Sequence, residues 1–439
     1  MRLTSSLILS VFFSFLSMHA FADDPDFNMN GYATVEGEGY TTTTGGEGGQ
    51  ETIVTTLAEL EAFAKNREKN STPEILYIKG YFSADPSVVV TFKHGENLSI
   101  LGTDNGAELA GVGIRIWDYK NVIIRNLKIH EIFYPDDALS VEECQHVWID
   151  HNELYSKKGP GIGMDTYDGL LDIKKGSRYV TVSWNYLHDH MKCMLIGHTD
   201  NATQGEEDKN IRVTIHHNIF ENTSGRNPSL RWGAAHIYNN YYTDIDDYAI
   251  ALRQGAHGLI ENNFFNNVDI PVSTNKFEGE GFACMSGNSY AGSTDSLHNS
   301  ITQTDCEFWD SIPYPYQIGQ ADSLESLLRE NCGIGVVTLE ETTGITQLQR
   351  NNDLKCYPNP ASEDITISFQ GNRDGQYMLD IFTIQGEKVY TTKVTPDMTG
   401  SALSAIDLRN AKNGIYLVRL SGQQKTEIFS RGRIFQVRH

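Results

Sequence analysis

At 439 residues, with 57 acidic against 35 basic side chains and a net charge of −22, the chain is too long for one ordinary compact domain and suits a long solenoid followed by a small module. A surface this negative repels nucleic acid and other polyanions at long range, so an anionic ligand would need a local group of cations.

Met1 and Arg2 precede an apolar stretch over 7–16 and the sequence Ala20-Phe21-Ala22 ahead of Asp23 and Asp24. A basic start, an apolar run short for a bilayer and a small-residue site predict a cleaved signal peptide over 1–22. No other segment is a membrane candidate. Export permits disulfides among Cys144, Cys193, Cys284, Cys306, Cys332 and Cys356, and no CxxC spacing suggests a metal site. Cys144 and Cys193 lie in apolar strand-like runs and suit core thiols equally well.

From residue 122 onward, short β-branched and aromatic runs recur, each closing on asparagine. They are Val122-Ile123-Ile124-Arg125-Asn126, Val147-Trp148-Ile149-Asp150-His151-Asn152, Val180-Thr181-Val182-Ser183-Trp184-Asn185, Val213-Thr214-Ile215-His216-His217-Asn218, His236-Ile237-Tyr238-Asn239-Asn240 and Leu259-Ile260-Glu261-Asn262-Asn263. The asparagine intervals are 26, 33, 33, 22 and 23 residues, a repeat that predicts a solenoid. Alternation places Val, Ile and Leu inside each coil. Asparagine tolerates a left-handed bend and can bond to its copy one coil away, which predicts a stacked asparagine ladder. The two 33-residue coils carry extra loops, 157–168 and 199–209, and loops extruded from a solenoid often mark its binding face.

Counted back from the next ladder asparagine, Asp137, Asp172 and Arg226 lie 15, 13 and 14 residues away, in phase on one strip. Asp168 stands four residues before Asp172, and Lys192 and Arg226 follow their own asparagines by 7 and 8 residues. Three carboxylates thus meet two cations. Clustered carboxylates without cysteine or a clear histidine ligand favour a hard cation bound through oxygen, calcium before magnesium; the bland reading is a set of surface ion pairs. The Asp150-His151 pair falls on the ladder bend, away from this strip, and reads as structural. His188, His190, His216 and His217 are likewise read as satisfied polar residues.

The chain resembles the pectate lyases of the first polysaccharide lyase family over 31–335. The residues that carry the resemblance begin with Thr43-Thr44-Gly45-Gly46-Glu47-Gly48-Gly49 and Thr55-Thr56-Leu57-Ala58-Glu59-Leu60, and continue through Asn121-Val122-Ile123-Ile124-Arg125-Asn126-Leu127. The most diagnostic are Val147-Trp148-Ile149-Asp150-His151, Tyr167-Asp168-Gly169-Leu170-Leu171-Asp172-Ile173-Lys174, Arg226-Asn227-Pro228-Ser229-Leu230-Arg231 and Tyr238-Asn239-Asn240. Pro315-Tyr316, a helix over 321–331 and Gly333-Ile334-Gly335 are similar to the family's C-terminal closure. The resemblance implies an all-β fold, a right-handed single-stranded parallel β-helix over 23–339. It also implies that Asp137, Asp168 and Asp172 hold Ca2+, that Lys192 binds a substrate carboxylate, that Arg226 is the base and that Arg231 assists. Some members carry a fourth acidic ligand where this chain has Pro135; in an extended segment Asp136 would point the other way, so resting calcium affinity is expected to be weak.

On that reading the substrate is α-1,4-polygalacturonate and the reaction β-elimination to 4,5-unsaturated oligogalacturonides. The C5 proton is barely acidic, so the neighbouring carboxylate must be neutralised as the enolate-like dianion develops. A guanidinium ordinarily titrates above about 12, so a neutral arginine base has to be favoured by nearby positive charge and an alkaline optimum follows.

Residues 340–353 lose the repeat and read as a linker. Over 354–439, Tyr357-Pro358-Asn359-Pro360 precedes short alternating strands at 365–369, 377–382 and 415–420, with turns at Gln385-Gly386 and Asn413-Gly414, a pattern that suits a small C-terminal β-sandwich. Through Ile384-Gln385-Gly386-Glu387 and Asn413-Gly414-Ile415-Tyr416-Leu417-Val418 the region resembles the sorting domains of type IX secretion in Bacteroidota. It departs from them at 431–439, where a lysine-rich end is usual. A carbohydrate-binding sandwich is the alternative.

The expected partners are polygalacturonate and the type IX secretion machinery, with no nucleic acid, no membrane span, a monomeric state and a secreted or cell-surface location. The competing functions are a pectin lyase acting on methylated pectin, which lacks use for the acidic trio, a polygalacturonase, in which the arginines have no task, and a non-catalytic polysaccharide-binding surface protein.

Overall fold

A computed structural model describes residues 25–103, 106–292, 300–337 and most of 355–438. The expected signal peptide and linker lie outside the described residues. The chain divides near residue 340 into two compact units.

The first unit is a parallel β-solenoid of about 10 turns, whose coils stack their strands into three faces. The first sheet stacks Gln50–Val54, Glu74–Ile78, 98–102, 122–125, Gln145–Asp150, Arg178–Ser183, Arg212–His216, Ala234–Tyr238, His257–Glu261 and Phe282–Ser286. Like side chains fall on like: Ile100, Ile124, Ile149, Val182, Ile215, Ile237 and Ile260 form one fully buried column. β-branched residues fill such a column because the pleat presents every second side chain to the lumen. Truncating one to alanine should cost roughly 2–5 kcal/mol, since neighbouring coils cannot close the hole.

The asparagine ladder forms at the expected positions from Asn152 to Asn263, extends to Asn288, and departs from expectation only at Asn126. Nδ2 of Asn152, Asn185, Asn218, Asn240 and Asn263 each donates to Oδ1 of the next member, ending at Asn288, over 2.9 to 3.0 Å. Asn126 is not a rung. Arg125 pairs with Asp150 and Lys128 with Glu153, so Leu127 occupies the rung position and its N–H donates to Asn152 Oδ1. The left-handed bend also belongs to the preceding residues, with φ of 51°, 55°, 54°, 53° and 48° at His151, Trp184, His217, Asn239 and Asn262. Asn126 shares that bend at φ 63°. Two consecutive asparagines in several coils hide this distinction in the sequence.

The α-helix Leu57–Asn66 opens with a capping box, in which Thr56 accepts from the Glu59 N–H while the Glu59 carboxylate accepts from the Thr56 N–H; each reciprocal bond satisfies a donor the helix start leaves free. At the other end, the expected helix over 321–331 is a 3-10 turn, Ala321–Ser323, followed by the α-helix Leu324–Asn331. Leu324 and Leu328 pack on Trp184, Ile219 and Tyr241. Cys284 and Cys306 form a disulfide, whereas Cys144 and Cys193 are buried free thiols.

The second unit is antiparallel. Lys355–Tyr357, Asp364–Gln370 and Ser401–Asp407 form one sheet, and Lys388–Val394, Gln376–Thr383, Gly414–Gln424 and Glu427–Val437 another. Ile365, Ile367, Phe369, Leu379, Ile381, Val418 and Leu420 supply its core, matching the alternation in the sequence. The turn at Gln385-Gly386 lies outside the described residues.

Candidate active site

The strip predicted from the coil arithmetic lies where a second sheet, which stacks Tyr186–Lys192 on Ile219–Gly225, meets a third, which stacks Leu139–Glu142, Leu171–Lys174, Leu195–Ile196 and Ser229–Arg231. Lys192 ends the strand Tyr186–Lys192 in the second sheet and pairs with Gly225, the residue before Arg226. Asp172 lies on Leu171–Lys174 of the third sheet, paired with Ser140 one coil below, and Asp137 stands two residues before that lower strand, Leu139–Glu142. Arg231 ends Ser229–Arg231 in the same sheet and pairs with Arg253.

Asp137 and Asp172 converge beside Gly169. The Gly169 N–H donates to Asp137 Oδ1 over 3.0 Å, and a Cβ at Gly169 would stand 2.5 Å from Asp172 Oδ1 and 2.7 Å from Asp137 Oδ1. Asp172 Oδ1 also accepts from the Leu195 N–H at 3.1 Å. Burial and the neighbouring Asp137 charge push the Asp172 carboxyl up to about 7. Lys174 counters them: its Nζ is 2.6 Å from Asp137 Oδ2, 3.4 Å from Asp172 Oδ2 and 3.9 Å from Glu142. Against the effect of burial, Asp172 and Asp137 raise the Lys174 ammonium above its ordinary range. Asp137 is the nearer partner of Lys174, and at Asp172 burial and the Asp137 charge outweigh what Lys174 and the Leu195 N–H supply.

Asp168 stands with the other cation. Lys192 Nζ lies 2.7 Å from Asp168 Oδ1 and 3.1 Å from Asp165 Oδ1, and its backbone N–H donates to His190 Nδ1 at 3.0 Å. His190 is buried and stays neutral, its imidazole pushed down to about 3 by burial and by the Lys192 and Arg226 charges. The structure therefore brings Asp137 and Asp172 together and pairs Asp168 with Lys192. Among the described residues, no three acidic, histidine or cysteine side chains converge as a metal cluster. The donor set still suits a hard cation, with oxygen ligands only, two carboxylates converging, and a glycine that keeps the space between them open. Asp136 is exposed while Asp137 is buried, so the two neighbouring carboxylates do not face the same way.

Arg226 has neither a side-chain hydrogen bond nor an ion pair among the described residues. Its charge bears on Asp172, His190, Arg231 and Tyr248, which places the guanidinium amid the strip. Its backbone is left-handed, φ 62°, and its carbonyl accepts from the Met194 N–H at 2.5 Å. Arg231 is held instead: Nε donates to Asp200 Oδ1 at 2.8 Å and Nη1 to the Gly197 carbonyl at 2.9 Å. Asp200, from the 199–209 loop, also pairs with Arg253. Burial, then Arg253, lowers the Arg231 guanidinium despite Asp200.

Asp150 and His151 are fully buried on the ladder bend. Asp150 accepts from Arg125 Nε at 2.6 Å, Ser183 Oγ at 2.6 Å and faces His151 Nδ1 at 2.5 Å, so the pair is part of the scaffold. Lys174 and Asp200 are the site residues that sequence reasoning missed. Lys174 had a signal: two residues beyond Asp172 on a strand, it must share the same face.

The pectate lyase family matches residues 3–337, and the secretion system C-terminal sorting domain matches 355–431. Pectate trisaccharide-lyase of Bacillus licheniformis is 40% identical over 316 residues, covering 71% of this chain and 88% of that protein. Pectate lyase A of Emericella nidulans is 36% identical over 280 residues, covering 63% and 80%. A pectate lyase from Bacillus sp. N165, solved in complex with trigalacturonate, superposes with TM-score 0.63 at 34% identity, covering 70% of this chain and 99% of that one. Pectate lyase II of Xanthomonas campestris gives TM-score 0.63 at 28% identity, covering 71% and 100%. A parallel solenoid carrying an acidic and cationic strip, matched along nearly its whole length, makes the chain a member of the pectate lyase family, an enzyme that ends in a secretion-system sorting domain.

Proposed function

We propose that this pectate lyase cleaves polygalacturonate by calcium-assisted β-elimination with Arg226 as the base. The observation that carries the reading is the contrast between two arginines: Arg231 is tied to Asp200 and Gly197, while Arg226 points no side-chain bond at any described residue and stands beside Lys192 and Asp172. Asp137, Asp168 and Asp172 would hold the calcium ion, which when bound supplies positive charge against the substrate carboxylate.

Lys192 exchanges its contact with Asp168 or Asp165 for that carboxylate, adding a charge-assisted hydrogen bond where negative charge develops. Arg226, as neutral guanidine, takes the C5 proton. The C–H electrons form the C4–C5 double bond, the C4–O4 bond breaks, and the departing O4 is protonated from solvent. Arg231, fixed by Asp200, adds positive charge on the side where negative charge develops on the substrate. The N-terminal 22 residues serve as a signal peptide and the sorting domain directs type IX export to the surface or medium.

The test is incubation of purified protein with polygalacturonate, following the ultraviolet absorbance of unsaturated product at alkaline pH. Activity is expected to vanish with chelator, return with calcium, and fall by about 10³-fold or more in Arg226→Lys. Chelator-insensitive turnover, or an Arg226→Lys enzyme of near-parent rate, contradicts the mechanism.

A further inference from the structure

Exposed large apolar side chains are few on the described surface, yet three of them, Phe133, Tyr134 and Met164, at 45%, 55% and 49% exposure, lie on the two segments bordering Lys192. Phe133 and Tyr134 are on the turn that carries Pro135. This turn is fastened on several sides. The Phe133 N–H donates to Ser87 Oγ at 3.1 Å and the Tyr134 N–H to the Thr166 carbonyl at 3.1 Å. The Asp136 N–H donates to the Phe133 carbonyl at 3.2 Å, and the Phe133 ring stacks on Tyr167 with centroids 5.1 Å apart and an interplanar angle of 28°. Lys192 Nζ lies 5.6 Å from the Tyr134 ring centre, within cation–π range.

We propose that Tyr134, supported by Phe133, is a sugar-stacking platform that carries a galacturonate ring in a subsite next to the one whose carboxylate Lys192 holds. The inference rests on the pectate-lyase reading of the strip and adds to it a binding element that is neither acidic nor basic. A pyranose of galacto configuration presents its C3, C4 and C5 hydrogens on one face, and that weakly positive face complements the negative face of an aromatic ring. Phe133 leans on Tyr167, while the Tyr134 ring, 55% exposed, stands open to water at the border of a charged strip, where an exposed aromatic surface marks a contact site. Held by backbone bonds, it loses little freedom when a sugar settles on it.

The test measures calorimetric affinity for oligogalacturonates in Arg226→Ala protein with calcium present, comparing Tyr134, Tyr134→Phe and Tyr134→Ala. The Phe variant is expected to bind like its parent and the Ala variant five- to tenfold more weakly, an effect of roughly the size of one aromatic contact. The ratio should persist at high salt, where a loss acting only through the Lys192 charge would shrink. With Arg226 restored, Tyr134→Ala should raise KM by a similar factor and change kcat by less than about twofold. Phe133→Ala should weaken binding in the same direction with thermal stability unchanged. Equal affinity of the Ala variant and its parent, or a Phe variant as weak as Ala, overturns the platform. Absence of both turnover and binding in the parent enzyme would instead sink the pectate-lyase reading beneath it.

Discussion

Lys174 reaches into the acidic pair, its Nζ 2.6 Å from Asp137 Oδ2, and so occupies the charge-balancing role a bound cation would share. Two carboxylates this close cannot both stay ionised without a counter-charge. In Lys174→Met the calcium-free protein should lose stability, about 3 kcal/mol for a largely buried pair broken on one side, and its thermal midpoint should fall. Calcium should bind the variant more tightly, because an internal competitor is gone. Titration calorimetry reads this directly. Weaker calcium binding in Lys174→Met would show that Lys174 orients Asp137 rather than competing for it.

Asp172 gives a prediction in pH. Its folded carboxyl titrates at about 7, against 3.8 ordinarily, raised by burial and by Asp137. The folded state therefore holds more protons than the unfolded one between these values, so stability falls as pH rises through the window and the full cost is present above 7. Asp172→Asn removes that cost. With chelator present, the variant should be more stable than the parent at alkaline pH, by on the order of 1–3 kcal/mol, and the difference should shrink towards pH 4. Added calcium should reverse the order, since only the parent keeps the ligand. A parent–variant difference independent of pH would mean that Asp172 is ordinary in the folded protein.

Asn218 accepts from the Asn185 N–H and Nδ2 and donates to Val182, His216 and Asn240, so Asn218→Ala leaves several buried backbone groups unpaired and should cost about 3 kcal/mol or more. Asn126 sits on the bend, and among the described residues its side chain bonds only to the Gly102 carbonyl and the Gly335 N–H. Asn126→Ala should cost clearly less in chemical denaturation. Equal losses would restore Asn126 to the ladder.

The solenoid was legible because a buried coil forces the same aliphatic side chain to return at the same place, as the Ile124, Ile149, Val182 and Ile215 column does. The in-phase acids and cations were legible for the same reason, since whatever repeats with the coil lies on one strip. What was not legible depended on single-residue register or on side-chain partners. Asn126 and Asn152 look alike as letters, yet strand pairing sets one on the bend and the other on the rung. Asp168 was expected beside Asp137 and Asp172, and its contact with the Lys192 ammonium at 2.7 Å is a side-chain partner the letters do not name. The helix over 321–331 was found with a 3-10 first turn, a difference that lies in boundary geometry and not in periodicity.

Gly169 provides the sharpest separation of site from scaffold. Any side chain there enters the space between two carboxylate oxygens, at 2.5 Å and 2.7 Å from them. Neither oxygen can move far, because Asp137 Oδ1 accepts from Gly169 itself and Asp172 Oδ1 from Leu195. Gly169→Ala should therefore retain the solenoid, with near-parent circular dichroism, while its calcium-induced thermal shift falls sharply and its lyase rate drops by at least tenfold at fixed calcium. The matched control is Gly163→Ala in the neighbouring loop, where a Cβ meets nothing nearer than Thr166 Oγ1 at 3.8 Å, and which should leave calcium response and rate unchanged. If both substitutions behave alike, the space beside Gly169 is not where the cation binds, and the paired aspartates are held together by Lys174 alone.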